Sequence, residues 1–327
     1  MGTAIDEGEA RRVLAHAVTR GLTGFPQTRG VRKQVERAVD TLVDRRPIKI
    51  LERATDASDG FVKYLFHLPD GLLAEAVRIP LEAPGRFTVC VSSQVGCAMG
   101  CRFCATGRLG FTRHLQAWEI VAQVLAVRDE APGRVTGVVF QGQGEPLHNY
   151  EEVMRAAGVL AHPAGGCIAG RSITVSTVGV VPGILRMASD APPYRLIISL
   201  TSAIEEKRRE LIPTGEAWPV AEIAEAAISY QRATGGRLTI AWVLLGGINH
   251  GPDEVDALRR LFHDVPLRLN LIDVNDARPD GFRRATPAEL GTFRDALRTL
   301  GIPVVRRYSG GAAKHAACGM LAALRIA

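Results

Sequence analysis

The sequence lacks the features that would place it among membrane, secreted or repeat proteins. No run of about 18 apolar residues occurs in its 327 residues, which argues against a membrane-spanning helix. The first residues include Asp6 and Glu7 and no apolar core segment, so they do not resemble a secretory signal. Internal repeats and low-complexity tracts are also absent. A hydrophobic fraction of 46% therefore indicates a globular protein with a substantial buried core.

Cysteine is scarce, and its distribution excludes a disulfide framework. The chain has six cysteines, and three of them lie between positions 97 and 104. Three cysteines this close cannot pair among themselves without leaving one over. Cysteines that cluster in this way suit metal binding in a reducing cytoplasm, and we predict a cytoplasmic protein.

The three clustered cysteines, Cys97, Cys101 and Cys104, are spaced by three and then two residues. A fully protein-ligated [4Fe-4S] cluster uses four thiolates. Three thiolates leave one iron open for a ligand with amino and carboxylate groups, such as S-adenosylmethionine. The alternative is a zinc site, but structural zinc normally takes four closed ligands. No second Cys-x-x-Cys pair follows this loop, so we predict the iron-sulfur cluster.

The charge balance makes an anionic partner plausible. Lysine and arginine number 40 against 34 acidic residues, which gives a net charge of +6. Apolar periodicity predicts amphipathic helices over residues 5–20 and 31–46. We interpret residues 1–58 as a helical accessory domain that is a candidate for RNA binding. A solvated helix surface explains the same charge equally well.

The rest of the chain predicts an α/β fold. Strand-like segments at 61–66 and 74–79 flank a turn, so residues 59–86 are interpreted as a β-hairpin linker. Residues 87–327 then alternate strands and helices, which predicts parallel strands with crossover helices in a partial (β/α)6 TIM-like barrel. The predicted strands are 87–92, 135–140, 172–176, 195–200, 238–244, 267–272 and 303–307. The predicted helices are 117–128, 151–161, 181–189, 219–233, 252–263 and 287–300.

Polar motifs follow these predicted strands at their carboxyl ends, where barrels carry their functional groups. The segment Gly142-Gln143-Gly144-Glu145-Pro146 follows one strand, and Ser176 and Ser199 end two others. Glycine lets the backbone approach a ligand closely, and a carboxylate can accept a hydrogen bond from an ammonium group. We predict that Glu145 meets the amino group of the methionyl ligand.

Two further cysteines stand at opposite ends of the predicted strand set. Cys90 lies seven residues before the cluster loop, and Cys318 lies nine residues from the carboxyl terminus. They could meet in space as a nucleophile and a resolving partner. The alternative is that both are inert buried thiols, which is the common fate of a lone cysteine. Cys167 has no comparable sequence context, and we assign it no function.

Several segments together resemble one family. The stretch from Cys90 through Cys104, followed by Gly110-Phe111-Thr112-Arg113, closely resembles the radical S-adenosylmethionine methyl synthases that act on adenine in RNA. These are the bacterial 23S ribosomal RNA and tRNA adenine C2 methyltransferases and their C8-methylating resistance relatives. The similarity runs in register from about residue 60 to the end. Its further matches are Gly144-Glu145-Pro146-Leu147, Ser176-Thr177 with Gly179-Val180-Val181-Pro182, Leu269-Asn270-Leu271-Ile272 with Asn275, and Ala316-Ala317-Cys318-Gly319.

The resemblance implies a radical S-adenosylmethionine barrel fold and two cofactors, a [4Fe-4S] cluster and S-adenosylmethionine. The cluster ligands would be Cys97, Cys101 and Cys104. The residues lining the S-adenosylmethionine site would be Gly144, Glu145, Ser176, Ser199, Leu200, Thr201 and Asn275. The implied partners are 23S ribosomal RNA or tRNA and an external one-electron donor such as flavodoxin or ferredoxin. We expect no membrane partner and a monomer.

The resemblance also implies a reaction sequence. Cys318 would take a methyl group from one S-adenosylmethionine, and a 5′-deoxyadenosyl radical formed from a second molecule would remove a hydrogen from it. The resulting carbon radical would add to adenine C2, or to C8. Glu75 would accept a proton, and Cys90 would release the product by forming a disulfide with Cys318. For Glu75, the alternative is an exposed carboxylate on the surface of a strand.

Departures from the family pattern fall on the substrate side. The family's amino-terminal motif is at most a remnant at Gly24-Phe25-Pro26-Gln27, and the loop at 310–315 lacks the usual acidic residues. Two alternatives to RNA methylation therefore stand beside it. One is the same chemistry on a small molecule or peptide, and the other is a non-catalytic homologue that binds RNA or zinc.

Overall fold

One ten-stranded β-sheet forms the centre of the protein. The computed structural model describes residues 5–20, 29–42, 48–214, 218–276, 278, 281–307 and 310–322. The strands in chain order are β1 (Lys49–Thr55), β2 (Val62–His67), β3 (Leu73–Pro80), β4 (Arg86–Val91), β5 (Gln94–Gly96), β6 (Phe111–His114), β7 (Arg134–Phe140), β8 (Ile173–Thr177), β9 (Arg195–Ser199), β10 (Leu238–Leu244), β11 (Leu267–Asp273) and β12 (Val304–Arg307). The large sheet has the order β1-β2-β3-β4-β7-β8-β9-β10-β11-β12, while β5 and β6 form a separate pair.

Ten α-helices occur in the described ranges, and those from α3 onward lie between the parallel strands. They are α1 (Glu7–Arg20), α2 (Lys33–Leu42), α3 (Ala105–Leu109), α4 (Ala117–Glu130), α5 (Tyr150–Ala161), α6 (Val181–Asp190), α7 (Glu205–Leu211), α8 (Val220–Thr234), α9 (Pro252–Leu261) and α10 (Pro287–Arg298). Strands β4 and β7 to β12 pair in parallel, and a helix lies in each of their six connections. The predicted partial (β/α)6 architecture is therefore confirmed. Within the described ranges, no helix is long and apolar enough to cross a membrane.

The two faces of the sheet have different surroundings. Because side chains alternate along a strand, Val89 and Val91 of β4 pack in the main core with Leu269 and Leu271 of β11. Cys90, between the two valines, points to the opposite face. We call that opposite side the inner face. The inner face therefore carries the thiol of Cys90.

Most predicted elements of the barrel appear within one or two residues of their expected bounds. The sequence reading missed the β5–β6 pair, α3 and α7, which are short. It also missed β1, which lies inside the predicted helical region 1–58 and pairs antiparallel with β2. The predicted hairpin strands appear as β2 and β3, and β3 continues the sheet by pairing antiparallel with β4. The remnant motif at 24–27 lies outside the described residues.

The two amino-terminal helices are held by an ion pair. Arg32 donates from Nε to Glu9 Oε1 at 2.8 Å and lies 2.6 Å from Oε2 through Nη2. This contact lowers the pKa of Glu9 to about 2. Arg128 of α4 donates to the carbonyl of Val18 at 2.7 Å, which attaches α1 to the barrel. The division into accessory domain, linker and barrel remains a prediction.

Candidate functional site

The three-cysteine loop is fixed at both ends by backbone hydrogen bonds. Cys97 follows β5 and donates its N–H to the carbonyl of Gly110 at 2.8 Å, next to β6. Cys104 donates to the carbonyl of Cys101 at 3.0 Å and directly precedes α3. Cys97 and Cys101 are buried, and Cys104 is half-buried. The β5–β6 pair and α3 thus frame the loop.

The electrostatics of the loop suit a bound cation or metal cluster. Burial raises the pKa of Cys97 to about 12 and that of Cys101 well above its ordinary value. Cys104 raises the pKa of both Cys97 and Cys101, and Cys97 also raises that of Cys101, so the three thiols are close together. Metal coordination would stabilise the thiolates. In the described chain, no three His, Cys, Asp or Glu side chains are placed to hold one metal ion. A [4Fe-4S] cluster makes no such demand because each thiolate binds a different iron.

Glu145 lies at the carboxyl end of β7 and is almost fully buried. Its Oε1 accepts from Leu147 N at 3.0 Å, and its Oε2 accepts from Val178 N at 2.9 Å. The hydroxyl of Thr177 is a third partner. A carboxylate offers about four lone-pair sites, so an acceptor position is left for a ligand. Burial raises the pKa of Glu145 to about 7.

The two glycines before Glu145, Gly142 and Gly144, have no room for a side chain because neighbouring protein atoms lie too close. A Cβ on Gly142 would lie 2.7 Å from the carbonyl carbon of Val91. Gly144 has φ +104°, and a Cβ there would lie 2.6 Å from the Cβ of Gln94. Both glycines therefore let the end of β7 pack against the segment that leads into the cluster loop. The sequence predicts that these glycines let the backbone approach a ligand, whereas the atoms that crowd them in the structure belong to the protein.

Arg208 of α7 is a buried cation beside this site that the sequence reading missed. Its guanidinium donates to the carbonyl of Val178 and interacts electrostatically with Cys101 and Glu145. Burial lowers the pKa of Arg208. Its Nε is buried without a hydrogen-bond partner. The sequence offers a weak indication of this residue, because α7 contains a run of basic residues shortly after the polar segment that follows β9.

The segment after β9 contains Thr201 in a conformation that is rare for a β-branched residue. Thr201 has φ +64°, and its buried Oγ1 has no hydrogen-bond partner. Asn249 donates to the Thr201 carbonyl at 2.6 Å, and Glu254 accepts from Ser202 Oγ at 2.7 Å. Both supporting side chains lie far away in sequence, so the sequence reading missed them. Strain that is held by neighbours in this way is typical of functional sites.

Several polar atoms at these strand ends lack partners within the described chain. The other predicted lining residues are Ser176, which is buried on β8, Ser199, which ends β9, and the fully buried Leu200. Among the buried atoms without a hydrogen-bond partner are Gln143 Nε2, Thr201 Oγ1, Arg208 Nε and Asn270 Oδ1. Leaving such atoms unpaired costs free energy. A polar ligand with amino, carboxylate and ribose groups therefore fits this set of residues.

Residues 316–321 are tied to the start of α3. Ala105 N donates to the carbonyl of Gly319 at 2.7 Å, and Thr106 Oγ1 donates to the carbonyl of Leu321 at 2.5 Å. Ala316 packs with Cys90 in a small apolar cluster. These contacts hold Cys318 beside the cluster loop.

Four residues from different parts of the chain lie around Cys318, namely Gln141, Asn275, Cys104 and Cys90. Gln141, which follows β7, donates from Nε2 to its Sγ at 3.7 Å, and Asn275 donates to its carbonyl at 3.3 Å. Cys318 is an exposed residue, and desolvation raises the pKa of its thiol to about 12. Cys104 raises the pKa of Cys318, and Cys318 raises that of Cys90. The structure thus brings the cluster loop and the two distant cysteines together.

The two distant cysteines are both free thiols. Cys90 is buried on the inner face of β4, and its pKa is raised to about 12 by burial. The disulfide bond expected between Cys90 and Cys318 is not present in this structure, in which both thiols are reduced. Cys167 is an exposed free cysteine that donates to the carbonyl of Pro163. Replacing Cys167 therefore gives a control variant for replacements of the other cysteines.

Glu75 is fully buried on β3, which excludes the exposed-carboxylate alternative. Lys63 of β2, itself buried, places its Nζ 2.9 Å from Glu75 Oε1. Lys63 lies opposite Val77, which packs with Cys90 and Ala316, so the pair lies on the inner face near Cys90. Removing one partner of a buried ion pair costs about 3–5 kcal/mol. Lys63, a lone lysine in an apolar strand, was a signal that the sequence reading did not use.

Residues 274–276, 278 and 281–284, which follow β11, line a cavity at the edge of the site. The sequence predicts a long loop over the barrel mouth at 275–281, of which residues 277, 279 and 280 lie outside the described residues. Asn275 accepts from Arg284, and Asp276 accepts from Arg278 at 2.6 Å. This cavity of about 370 Å³ lies between this loop and Met320. Its lining includes Asn275 and the ring of Phe282. The cavity therefore adjoins the segment that carries Cys318.

Comparison with known proteins agrees with this geometry. The model of the Radical SAM superfamily matches residues 91–262, which is more than half of the chain. This chain belongs to the radical SAM superfamily. A probable RNA methyltransferase of Anaeromyxobacter sp. (strain Fw109-5) is 49% identical over 96% of this chain and 92% of its own length. A dual-specificity RNA methyltransferase RlmN of Syntrophobacter fumaroxidans is 38% identical over 96% and 91%.

A solved structure shows the same fold. A radical SAM methyltransferase from Sphaerobacter thermophilus superposes with a TM-score of 0.87 at 36% identity, covering 97% of this chain and 93% of that chain. The family resemblance found in the sequence is therefore confirmed, and the chain is a radical SAM methyltransferase. The assignment of individual site residues remains a prediction.

Replacing Cys101 by alanine tests the cluster ligands of this radical SAM protein. We expect the variant to lose most of its iron and its brown colour after anaerobic reconstitution, because two thiolates and solvent hold a cluster poorly. Iron analysis and the visible spectrum measure the effect. Cys167→Ala should keep the wild-type iron content. Zinc in place of iron in the wild-type protein would contradict the cluster assignment.

Replacing Glu145 by glutamine tests its contact with S-adenosylmethionine. The raised pKa of about 7 means that the carboxylate becomes charged as the pH rises from 6 to 8. Its ionised fraction then increases about tenfold, and only that form attracts the ligand's amino group as an anion. We expect the ratio of wild-type to Glu145→Gln affinity to rise about tenfold over that range. Calorimetry on reconstituted protein at both pH values measures it, and a constant ratio would contradict the contact.

Proposed function

We propose that this protein methylates an adenine carbon in RNA, with C2 as the first expectation and C8 as the alternative. The proposed substrates are 23S ribosomal RNA, tRNA or both. The relatives named as RNA methyltransferases support an RNA substrate, as does the net charge of +6. An external flavodoxin or ferredoxin would supply electrons.

One observation carries this proposal. Cys318 lies beside Cys104 of the cluster loop and beside Cys90 of β4, although these residues are far apart in sequence. A radical SAM site needs only the three cluster cysteines. Two more thiols at the same place support a methyl group carried on the protein.

The residues can be given definite tasks. The cluster with S-adenosylmethionine, when bound, would supply one-electron chemistry that can functionalise an electron-poor aromatic carbon. Cys318 would carry the methyl group as a thioether and hold it against the adenine. Glu75 would accept the proton that the aromatic carbon loses, with Lys63 balancing its charge on the buried inner face. Cys90 would attack the Cys318 sulfur, so that an S–S bond forms while the bond from that sulfur to the RNA-bound carbon breaks. The carbon would leave with the electron pair of the broken bond and take up a proton, which completes the methyl group, and an external thiol reductant would return both cysteines to the free state seen here.

The test is an anaerobic assay on reconstituted protein. Total ribosomal RNA and tRNA are incubated separately with S-adenosylmethionine that carries a labelled methyl group and with a reductant. Mass spectrometry of the digested nucleosides then separates 2-methyladenosine from 8-methyladenosine. Labelled methyladenosine in one RNA class supports the proposal and identifies position and substrate. Turnover of S-adenosylmethionine with both RNA classes unmodified would reject RNA and favour a small molecule or peptide.

A further inference from the structure

Three arginines lie on the inner face of the sheet, on strands that are separated from β4 by other strands. Arg195 begins β9, Arg268 is the second residue of β11, and Arg307 ends β12. Their neighbours Leu196, Leu267 and Leu269 lie in the main core. Because side chains alternate along a strand, Arg195 and Arg268 face the inner side.

The orientation of Arg307 follows from its neighbour. The preceding residue, Arg306, places its Nη2 2.7 Å from Asp273 Oδ2. The alternate residue Val304 packs against the main core. Arg306 therefore shares the core side of β12, and Arg307 turns to the inner face. Because Arg306 and Arg307 are adjacent but face opposite sides of the sheet, replacing each in turn gives a matched pair of variants.

The strand register places the arginines near the proposed reaction site. Cys90 pairs with Val139, Val139 with Thr174, and Thr174 with Arg195. Cys90 and Arg195 therefore occupy one row, three strands apart, which is roughly 14 Å along the sheet. In the next row that faces the same side, Arg268 pairs with Thr239 of β10, Thr239 with Ile197 of β9, and Ile197 with Ser176 of β8. Ser176 is a predicted lining residue of the S-adenosylmethionine site. The arginines and thiols thus line one surface.

The three guanidinium groups are not neutralised by protein. Throughout the described ranges, none of them forms an ion pair with a carboxylate, and Arg268 Nε is buried without a partner. Burial lowers the pKa of Arg195, and repulsion from Arg307 and Arg268 lowers it further. Arg278, in the loop after β11, is by contrast paired with Asp276. Like charges in a shared, partly desolvated site are unfavourable unless an anion joins them.

We propose that Arg195, Arg268 and Arg307 form a binding site for a phosphate group of the substrate nucleotide. Arginine suits this ligand because its planar fork donates two hydrogen bonds to phosphate oxygens. With the phosphate held there, the base of the same or a neighbouring nucleotide can extend along the inner face toward Cys318. This inference rests on the proposed function. The phosphate belongs either to an RNA chain or to a free nucleotide, and these sources can be separated.

The first experiment measures RNA binding and methylation by reconstituted wild-type protein and by Arg195→Ala, Arg307→Ala and Arg306→Ala. The last variant removes an arginine from the opposite face of β12. We expect Arg195→Ala and Arg307→Ala to weaken RNA binding and raise KM about tenfold, with little change in kcat at saturating RNA. The salt dependence of binding should become shallower by about 0.7 for each lost phosphate contact. Arg306→Ala should resemble the wild type.

The second experiment does not depend on methylation. Inorganic phosphate and adenosine monophosphate are added separately while thermal unfolding is followed, since a ligand of the folded state raises Tm. We expect both to stabilise the wild type and Arg306→Ala but not Arg307→Ala. Arg195→Lys, which keeps the charge, should retain most of the effect.

The outcomes separate the phosphate site from the proposed function. If Arg195→Ala and Arg307→Ala match Arg306→Ala in both experiments, the phosphate site is rejected even when RNA is methylated. If no RNA is methylated but phosphate and adenosine monophosphate stabilise only proteins with intact inner-face arginines, the site stands and the substrate is a free nucleotide. Methylated RNA with arginine-dependent KM supports both conclusions.

Discussion

Replacing Cys318 by alanine is expected to reduce RNA methylation below detection. The thiol that is proposed to carry the methyl group is removed, while the three cluster cysteines and the Glu145 region are untouched. The variant should therefore still bind iron and S-adenosylmethionine. Mass spectrometry measures methyladenosine, and iron analysis measures cluster content in the same preparations.

Cys167→Ala is the matched control for this loss. Cys167 is an exposed free cysteine in a loop between α5 and β8, away from the cluster. Its replacement should leave methylation at the wild-type level. Methyladenosine made by Cys318→Ala at a comparable rate would rule out Cys318 as the methyl carrier. The cluster assignment would survive that result, because it depends on different residues.

Replacing Cys90 by alanine is expected to trap protein covalently attached to RNA. If Cys90 is the thiol that breaks the bond between Cys318 and the product, its loss leaves the joined species with no route to release. A denaturing gel with labelled RNA should show a slowly migrating band that nuclease digestion removes. The position is tightly packed against Val77 and Ala316, and serine is a second variant that better preserves its volume.

The double variant Cys90→Ala with Cys318→Ala separates specific trapping from nonspecific adhesion. It should give no slowly migrating band, because the carrier thiol is absent. Normal turnover by Cys90→Ala without any adduct would show that Cys90 is an inert buried thiol. The free state of both cysteines in this structure is compatible with either result, so the experiment is decisive.

The sequence alone determined the parts of this protein that depend on local pattern. The spacing of Cys97, Cys101 and Cys104 predicted the cluster loop, since three thiolates this close in sequence can bind neighbouring irons of one cluster. Alternating apolar periods predicted the strands and helices of the barrel, because each element buries one face within a few residues. Short elements escaped this reading: β1, β5, β6, α3 and α7 are held by contacts with the rest of the fold.

Only the tertiary structure decided which distant residues meet. The sequence could suggest Cys90 and Cys318 as a pair, but their proximity depends on Thr106 and Ala105 anchoring the carboxyl-terminal segment. The pairing of Glu75 with Lys63 likewise requires the register of β2 and β3.

The arginines of the inner face show most clearly the difference between what the sequence determines and what the tertiary structure determines. Arg195, Arg268 and Arg307 are spread over more than a hundred residues and are ordinary basic residues in the sequence. Strand register and alternation place them on one surface, opposite the thiols. Local sequence fixes which face a side chain prefers, whereas the pairing of strands fixes which side chains share that face.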